Sequence, residues 1–346
     1  MSLATALATR DVAELPGRRD EDWRWTDLKA LLRVLPPPSP AHDGPLAAGP
    51  FAAHGEAEVA VVNGQVPSNA GVLIVGPGAE RVVRLRFVAA ADATAHGARI
   101  AVRLGEKARL TLLESHEGQA ADYVADAQLD IHLDAGATLE RIVIAADGEG
   151  AIRVAQAHVI VGAGAAYAQT VLTDGAKRQR IETRIAHPGA HASVRLDGAY
   201  LLAAQRHADL TTVVDHQGVD GATSQLTKGV VRDQARAVFQ GRIVVEEGAD
   251  RTDARMRHQA LILSDRAEVD AKPELLIHAD DVQCAHGNTI GALDEEAMFY
   301  MRQRGIPEAQ ARALLIAAFV GEVIDRIEYA PAREAAQAWA ADRLRT

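Results

Sequence analysis

The 346-residue chain has one cysteine, 13 prolines, and aromatic residues at only 4% of positions. A single thiol excludes an internal disulfide framework, and no apolar run approaches the roughly 20 residues that span a bilayer. The start Met1-Ser2-Leu3-Ala4 lacks a basic stretch followed by an apolar one, so a cytosolic location is expected. A net charge of -10 disfavours a general binder of phosphate backbones, and no nucleic-acid or membrane partner is expected. Catalytic signatures are missing as well. Gly221 to Lys228 has the residues of a phosphate loop in the wrong spacing, and Gly162-Ala-Gly164 lacks the third glycine of a dinucleotide fingerprint. No His-Glu-x-x-His and no Gly-x-Ser-x-Gly is present. The chain is expected to be no enzyme and to hold no stably bound cofactor.

What is present falls into three parts, expected as domains at 1–55, 56–290 and 291–346. Between Thr9 and Leu35, charged residues interleave with Trp23, Trp25, Leu28, Leu31 and Leu32 before Pro36, Pro37, Pro38 and Pro40 stop any helix. This predicts a short helical arm and a linker. In the second part the apolar period is two. Leu129, Ile131 and Leu133 alternate with Gln128, Asp130 and His132, and Phe239, Gly241, Ile243 and Val245 share one phase. Gly-Ala dipeptides at Gly97, Gly136, Gly164, Gly189, Gly221 and Gly248 punctuate these strands, which favours a stacked β-solenoid with glycine corners over a β-sandwich. His132 and His158 fall on the outward phase. His187 and His191 flank Pro188-Gly189, a turn rather than a metal-binding helix face.

The third part is helical. Asp294 caps a helix through Met301 that Gly305 ends, Pro307-Glu308 starts a second, and Pro331 closes it before a last helix from Arg333 to Leu344. Ala311, Leu314, Leu315, Ala318, Phe319, Ile324 and Ile327 form an apolar stripe for packing on the solenoid end or docking a partner.

The chemistry concentrates at residues 279 to 306. Cys284 and His286 are two apart, so an extended strand sets thiol and imidazole on one face. His278 and Asp280 extend that face to a four-residue set, His278, Asp280, Cys284 and His286, a candidate soft-metal site.

This stretch resembles the SufD family of iron-sulfur cluster assembly scaffolds, in which a Cys-x-His-Gly element leads into a helix ending Arg-x-Arg-Gly-Ile. The Trp23-Arg-Trp-Thr-Asp-Leu28 element, Phe239-Gln-Gly-Arg-Ile-Val-Val245, Leu261-Ile-Leu-Ser264, Lys272-Pro-Glu-Leu275 and Ala279-Asp-Asp-Val282 are similar to family blocks in the same order. The resemblance implies a mainly β fold, a right-handed parallel β-helix between helical regions. It further implies a non-catalytic scaffold that pairs with SufB and docks the ATPase SufC, holding an iron-sulfur cluster only transiently in the complex. Cys284 and His286 would sit at the SufB interface, and Leu314, Leu315, Ala318 and Phe319 in the ATPase-docking region. Flavin has been associated with such complexes, but no flavin fingerprint is present. Self-pairing in isolation is a further expectation. The alternative of another class is a β-helical carbohydrate-active enzyme, which the scarcity of aromatic platforms for sugars disfavours.

Overall fold

A computed structural model describes residues 1–344. Its centre is a parallel β-solenoid of about eight turns. Strands are numbered in chain order, and odd and even strands form separate sheets. The odd sheet holds β1 (Ala57–Val62), β3 (Glu80–Ala89), β5 (Arg109–Gly118), β7 (Thr138–Ala146), β9 (Ala166–Thr173), β11 (Ser193–Leu202), β13 (Ala222–Val231), β15 (Thr252–Ile262) and β17 (Val282–Gly291). The even sheet holds β2 (Val72–Val75), β4 (Thr94–Leu104), β6 (Tyr123–Leu133), β8 (Ile152–Val161), β10 (Arg178–His187), β12 (His207–His216), β14 (Arg236–Val245) and β16 (Glu268–Ile277).

The period-two pattern does what it predicts. Leu129, Ile131 and Leu133 of β6 and Phe239, Ile243 and Val245 of β14 point into one continuous apolar core between the sheets. His132 and His158 point outward. The coil corners correct the expectation of glycine turns. Residues with left-handed backbone precede the odd strands at positions 78, 107, 136, 164, 191, 220 and 251, which are 27 to 31 apart. Only Gly78, Gly136 and Gly164 among them are glycines; Lys107, His191, Asp220 and Arg251 fill the others. Gly97 lies inside β4, and Gly189 and Gly221 do not take a positive φ. One left-handed residue costs only about 1–2 kcal/mol, which a corner held by hydrogen bonds to the coils on either side absorbs.

The expected N-terminal helical arm is mostly irregular. Helix α1 (Leu3–Thr9), two 3₁₀ turns and the four-residue α2 (Leu28–Leu31) lie flat on the outer face of the even sheet, burying Leu3, Ala6, Leu15, Leu28, Leu32 and Leu35 against Val124, Ile152 and Val154. Polar contacts clip the segment down. Arg180, fully buried, donates to Asp209 Oδ2 at 2.7 Å and to the Asp22 carbonyl at 2.7 Å, with Trp23 4.4 Å over its guanidinium. The Thr26 hydroxyl donates to the same Asp209 oxygen at 2.6 Å. Asp22 receives Arg184 and Arg242 at 3.1 Å each, and Glu21 receives Lys272 of β16 at 2.6 Å.

At the other terminus, α3 (Glu295–Gln303) is capped by Asp294 and followed by Gly305 at φ 82°. Helix α4 (Glu308–Ile324) ends before Pro331, which instead occupies the first turn of α5 (Ala330–Leu344), where its missing N–H costs nothing. Helices α4 and α5 fold back along the outer face of the odd sheet. Ile316, Val320, Val323, Ile324, Ile327 and Trp339 pack there on Leu113, Ile142, Leu172, Leu201 and Val230. The helices therefore do not cap the solenoid end.

Five buried histidines and the half-buried His96 have lowered pKa. Burial holds His96, His187 and His258 near 4 and, with help from its neighbour His187, His216 near 3; His116 and His207 are lowered too. Each contributes stability that is whole above pH 6.5 and is lost as pH falls below it, at up to about 1.4 kcal/mol per ring per pH unit. Asp126 and Asp197, pushed up by burial to about 7 and about 6, act oppositely but are fewer. The urea midpoint is expected to be lower at pH 5.0 than at pH 7.5, with a shallower dependence in His187→Gln. A midpoint that holds or rises at pH 5.0 would contradict this.

Candidate functional site

The two sheets end in β16 and β17, each with a neighbour on one side only. The last coil thus leaves a row of backbone donors and acceptors unpaired by this chain. Leu276, Ile277 and Ile290 are exposed along it.

Strand β17 runs parallel to β15 with Ala254 opposite Cys284, Met256 opposite His286 and His258 opposite Asn288. Ala254, Met256 and His258 are buried inward residues, so Cys284, His286 and Asn288 take the same inward columns one coil further on, where no next coil covers them. They line the mouth of the solenoid. Cys284 is half-buried and packs on the core, while His286 and Asn288 are exposed. Burial raises the Cys284 pKa, the Ala254 N–H partly offsets this, and Asp253 adds to it. The thiol is therefore held mostly protonated at neutral pH.

Asn288 was not singled out in the sequence, although period two continues through it. Its Oδ1 stands 2.6 Å from His258 Nδ1, and His258 Nε2 stands 2.8 Å from the Tyr200 hydroxyl. His258 also stacks on Phe239 at 4.5 Å and 2°. Tyr200 reaches it by crossing Gly229 of the intervening strand, where an added Cβ would stand 1.8 Å from the tyrosine ring.

The four-residue metal set is not assembled. His278 and Asp280 lie in the connection after β16, where the chain crosses between sheets, so they share no strand with Cys284 and His286. Among the described residues no three His, Cys, Asp or Glu side chains gather as a metal-binding group. His187 and His191 also separate: His187 is buried edge-on to His216 at 3.9 Å, and His191 is exposed at the corner beside Asp220.

The apolar stripe of α4 is rotated from the one expected. Ile316, Val320 and Val323 face the sheet, Leu315 and Phe319 are half-buried at the margin, and Leu314 and Ala318 face outward. Lys228 lies 4.3 Å from the Phe319 ring and pairs with Glu322 at 2.8 Å. Leu314 is 47% exposed, and on α3 Phe299 and Tyr300 are 63% and 56% exposed, making an apolar surface beside the solenoid mouth in sequence and adjoining α4 in space.

Against this geometry, comparison with known proteins is decisive. The family model for the SUF system FeS cluster assembly SufBD core domain matches residues 87–319. The chain belongs to the SufBD core family. That span takes in the solenoid from the end of β3 onward, the mouth and most of α4. Among relatives, an iron-sulfur cluster assembly SufBD family protein of Synechocystis is 31% identical over 241 residues, 67% of this chain and 53% of that protein. The iron-sulfur cluster assembly protein SufD of Escherichia coli is 32% identical over 227 residues, 65% of this chain and 53% of that protein. A SufBD family protein of Mycobacterium tuberculosis is 28% identical over 341 residues, 96% of this chain and 80% of that protein. The matched region thus spans about half the length of the first two. No described helix of this SufBD chain is long and apolar enough to cross a membrane.

The environment of Cys284 sets its reactivity. Alkylation by iodoacetamide at pH 7.5 is expected to be several-fold slower in the folded chain than in urea, because the thiolate fraction is reduced and the sulfur half-covered. Equal or faster reaction in the folded chain would show that the site activates the thiol.

Proposed function

We propose that this chain is a scaffold without catalytic chemistry of its own, working in the cytosol in a complex that assembles iron-sulfur clusters. Its solenoid mouth pairs with a SufB-like scaffold, and its α3–α4 surface docks a SufC-like ATPase. The observation that carries the pairing is the open last coil. Two edge strands with exposed Leu276, Ile277 and Ile290 leave backbone groups for another chain to complete, and strand addition supplies both the hydrogen bonds and alternating side-chain pockets. Cys284 and His286 would then face the partner across the junction, with the cluster as cargo of the complex and not a resident group.

His286 is the stronger of the two. An exposed imidazole offers a ring nitrogen to iron or to a proton without further help, whereas a thiol with a raised pKa needs metal or a positive neighbour to ionise. His286→Ala is expected to reduce cluster assembly in cells several-fold while leaving the complex intact on size-exclusion chromatography, and Cys284→Ala to have a smaller effect. Wild-type assembly by the His286 variant would remove the histidine from the site.

The docking surface centres on Phe299, Tyr300, Leu314 and Ala318, with Leu315 and Phe319 at its margin. Exposed apolar side chains gathered on adjoining helices are the kind of surface that marks an interaction site. Phe299→Glu with Leu314→Glu should abolish ATPase capture in a pull-down and leave the circular dichroism spectrum unchanged, since neither side chain is buried. Ile316→Ala, facing the sheet, should instead cost about 2–5 kcal/mol of stability. Capture that survives the double charge substitution would place the ATPase elsewhere.

A further inference from the structure

Asn288 is held in a way an exposed edge residue does not need for packing. Asn288 Oδ1 faces His258 Nδ1 at 2.6 Å, so that nitrogen carries the proton and donates. His258 Nε2 is then the acceptor, and the Tyr200 hydroxyl donates to it at 2.8 Å. The ring is held in place, fully buried and stacked flat on Phe239. The chain of bonds runs from Tyr200 of β11 over Gly229 of β13 to His258 of β15 and out to β17. The Asn288 carbonyl oxygen is thereby engaged by the core, which leaves the NH₂ of the amide for a group beyond it.

We infer that Asn288 presents this amide as a hydrogen-bond donor to inorganic sulfide of the cluster being assembled, with His258 as its positioning residue. The inference rests on the proposed role of Cys284 and His286. Those two and Asn288 occupy positions i, i+2 and i+4 of one strand face, so neighbouring side chains start about 6.6 Å apart. That separation lets one small anionic body touch both His286 and Asn288. An amide N–H suits sulfide because it has no lone pair to ligate iron and so acts only on the sulfur, where such bonds govern the charge the cluster bears. An anchor for β17 would need only the carbonyl, and the donor is the half of the amide left over.

Asn288→Asp separates the two roles, since it keeps an acceptor for His258 Nδ1 and removes the NH₂. The chain co-expressed with its SufB-like and SufC-like partners would be reconstituted anaerobically with ferrous iron and sodium sulfide, and cluster formation followed by visible absorption. Asn288→Asp and Asn288→Ala are both expected to slow formation about tenfold or more, the effect of one hydrogen bond to a charged group. Each should also shift the reduction potential of the cluster to more negative values with partner capture unchanged, and Asn288→Asp, which keeps the acceptor for His258, should leave the melting temperature unchanged. His258→Phe should reproduce the Asn288→Ala rate, and the pair combined should be no slower than either alone. Wild-type rate and potential in Asn288→Asp would reduce Asn288 to an anchor and overturn the inference, as would a defect traced only to lost partner capture. His286→Ala in the same assay distinguishes the failures: if it too is at the wild-type rate, the reading of the whole mouth has failed, and if it alone is slow, only the role of Asn288 falls.

Discussion

A parallel solenoid satisfies each strand by the coil before it and the coil after it, and the last coil has no successor. Everything distinctive about this chain follows from where that shortfall lies. The strands from β3 to β15 have both neighbours within the chain, whereas β1 and β2 at one end and β16 and β17 at the other have one each. The inward columns continue past β15, so residues that would be core in any earlier coil become the lining of a mouth. Met256 is buried and His286, one coil further in the same column, is exposed for that reason alone.

The interior is not uniformly apolar, and several charged groups are paired deep within it. Arg141 is bound in a two-pronged contact to Glu114 at 2.7 and 2.8 Å and donates to Gln169 at 2.7 Å, while His116 meets the same Glu114 at 2.8 Å. Burial alone would raise the Glu114 pKa, but Arg141 and His116 overcome it and hold the carboxyl at about 2. Breaking such a pair from one side strands a buried charge, at about 3–5 kcal/mol.

The two outer faces are closed by the chain's own ends. The Trp23 to Leu28 element, which carries family resemblance, is used in this fold as a clip: Asp22, Trp23 and Thr26 engage Arg180, Arg184, Asp209 and Arg242 across three strands, and Glu21 reaches β16. The opposite face is covered by α4 and α5. With both broad faces occupied near their middles, the mouth and the α3–α4 surface are left with the exposed apolar side chains Leu276, Ile277, Ile290, Phe299, Tyr300 and Leu314.

Period two, the helix caps at Asp294 and Gly305, and the pairing of Cys284 with His286 on one face were all legible in the residues, because each depends on neighbours a few positions away. The corners were less so: Lys107, Asp220 and Arg251 do the work assigned to glycine, since a left-handed residue is tolerated wherever adjacent coils hold it and its identity is not dictated locally. The rotation of the α4 stripe, the clip made by an apparent helical arm, and the exclusion of His278 and Asp280 from the face of Cys284 were decided only when the sheets were placed. So was Asn288. Its meaning lies in His258 and Tyr200, 30 and 88 residues away, which are brought to it by coil stacking. Local sequence determined which residues alternate and where helices begin; contacts between coils, which no short-range pattern encodes, determined which of those residues end in the core, on a face or at the open mouth.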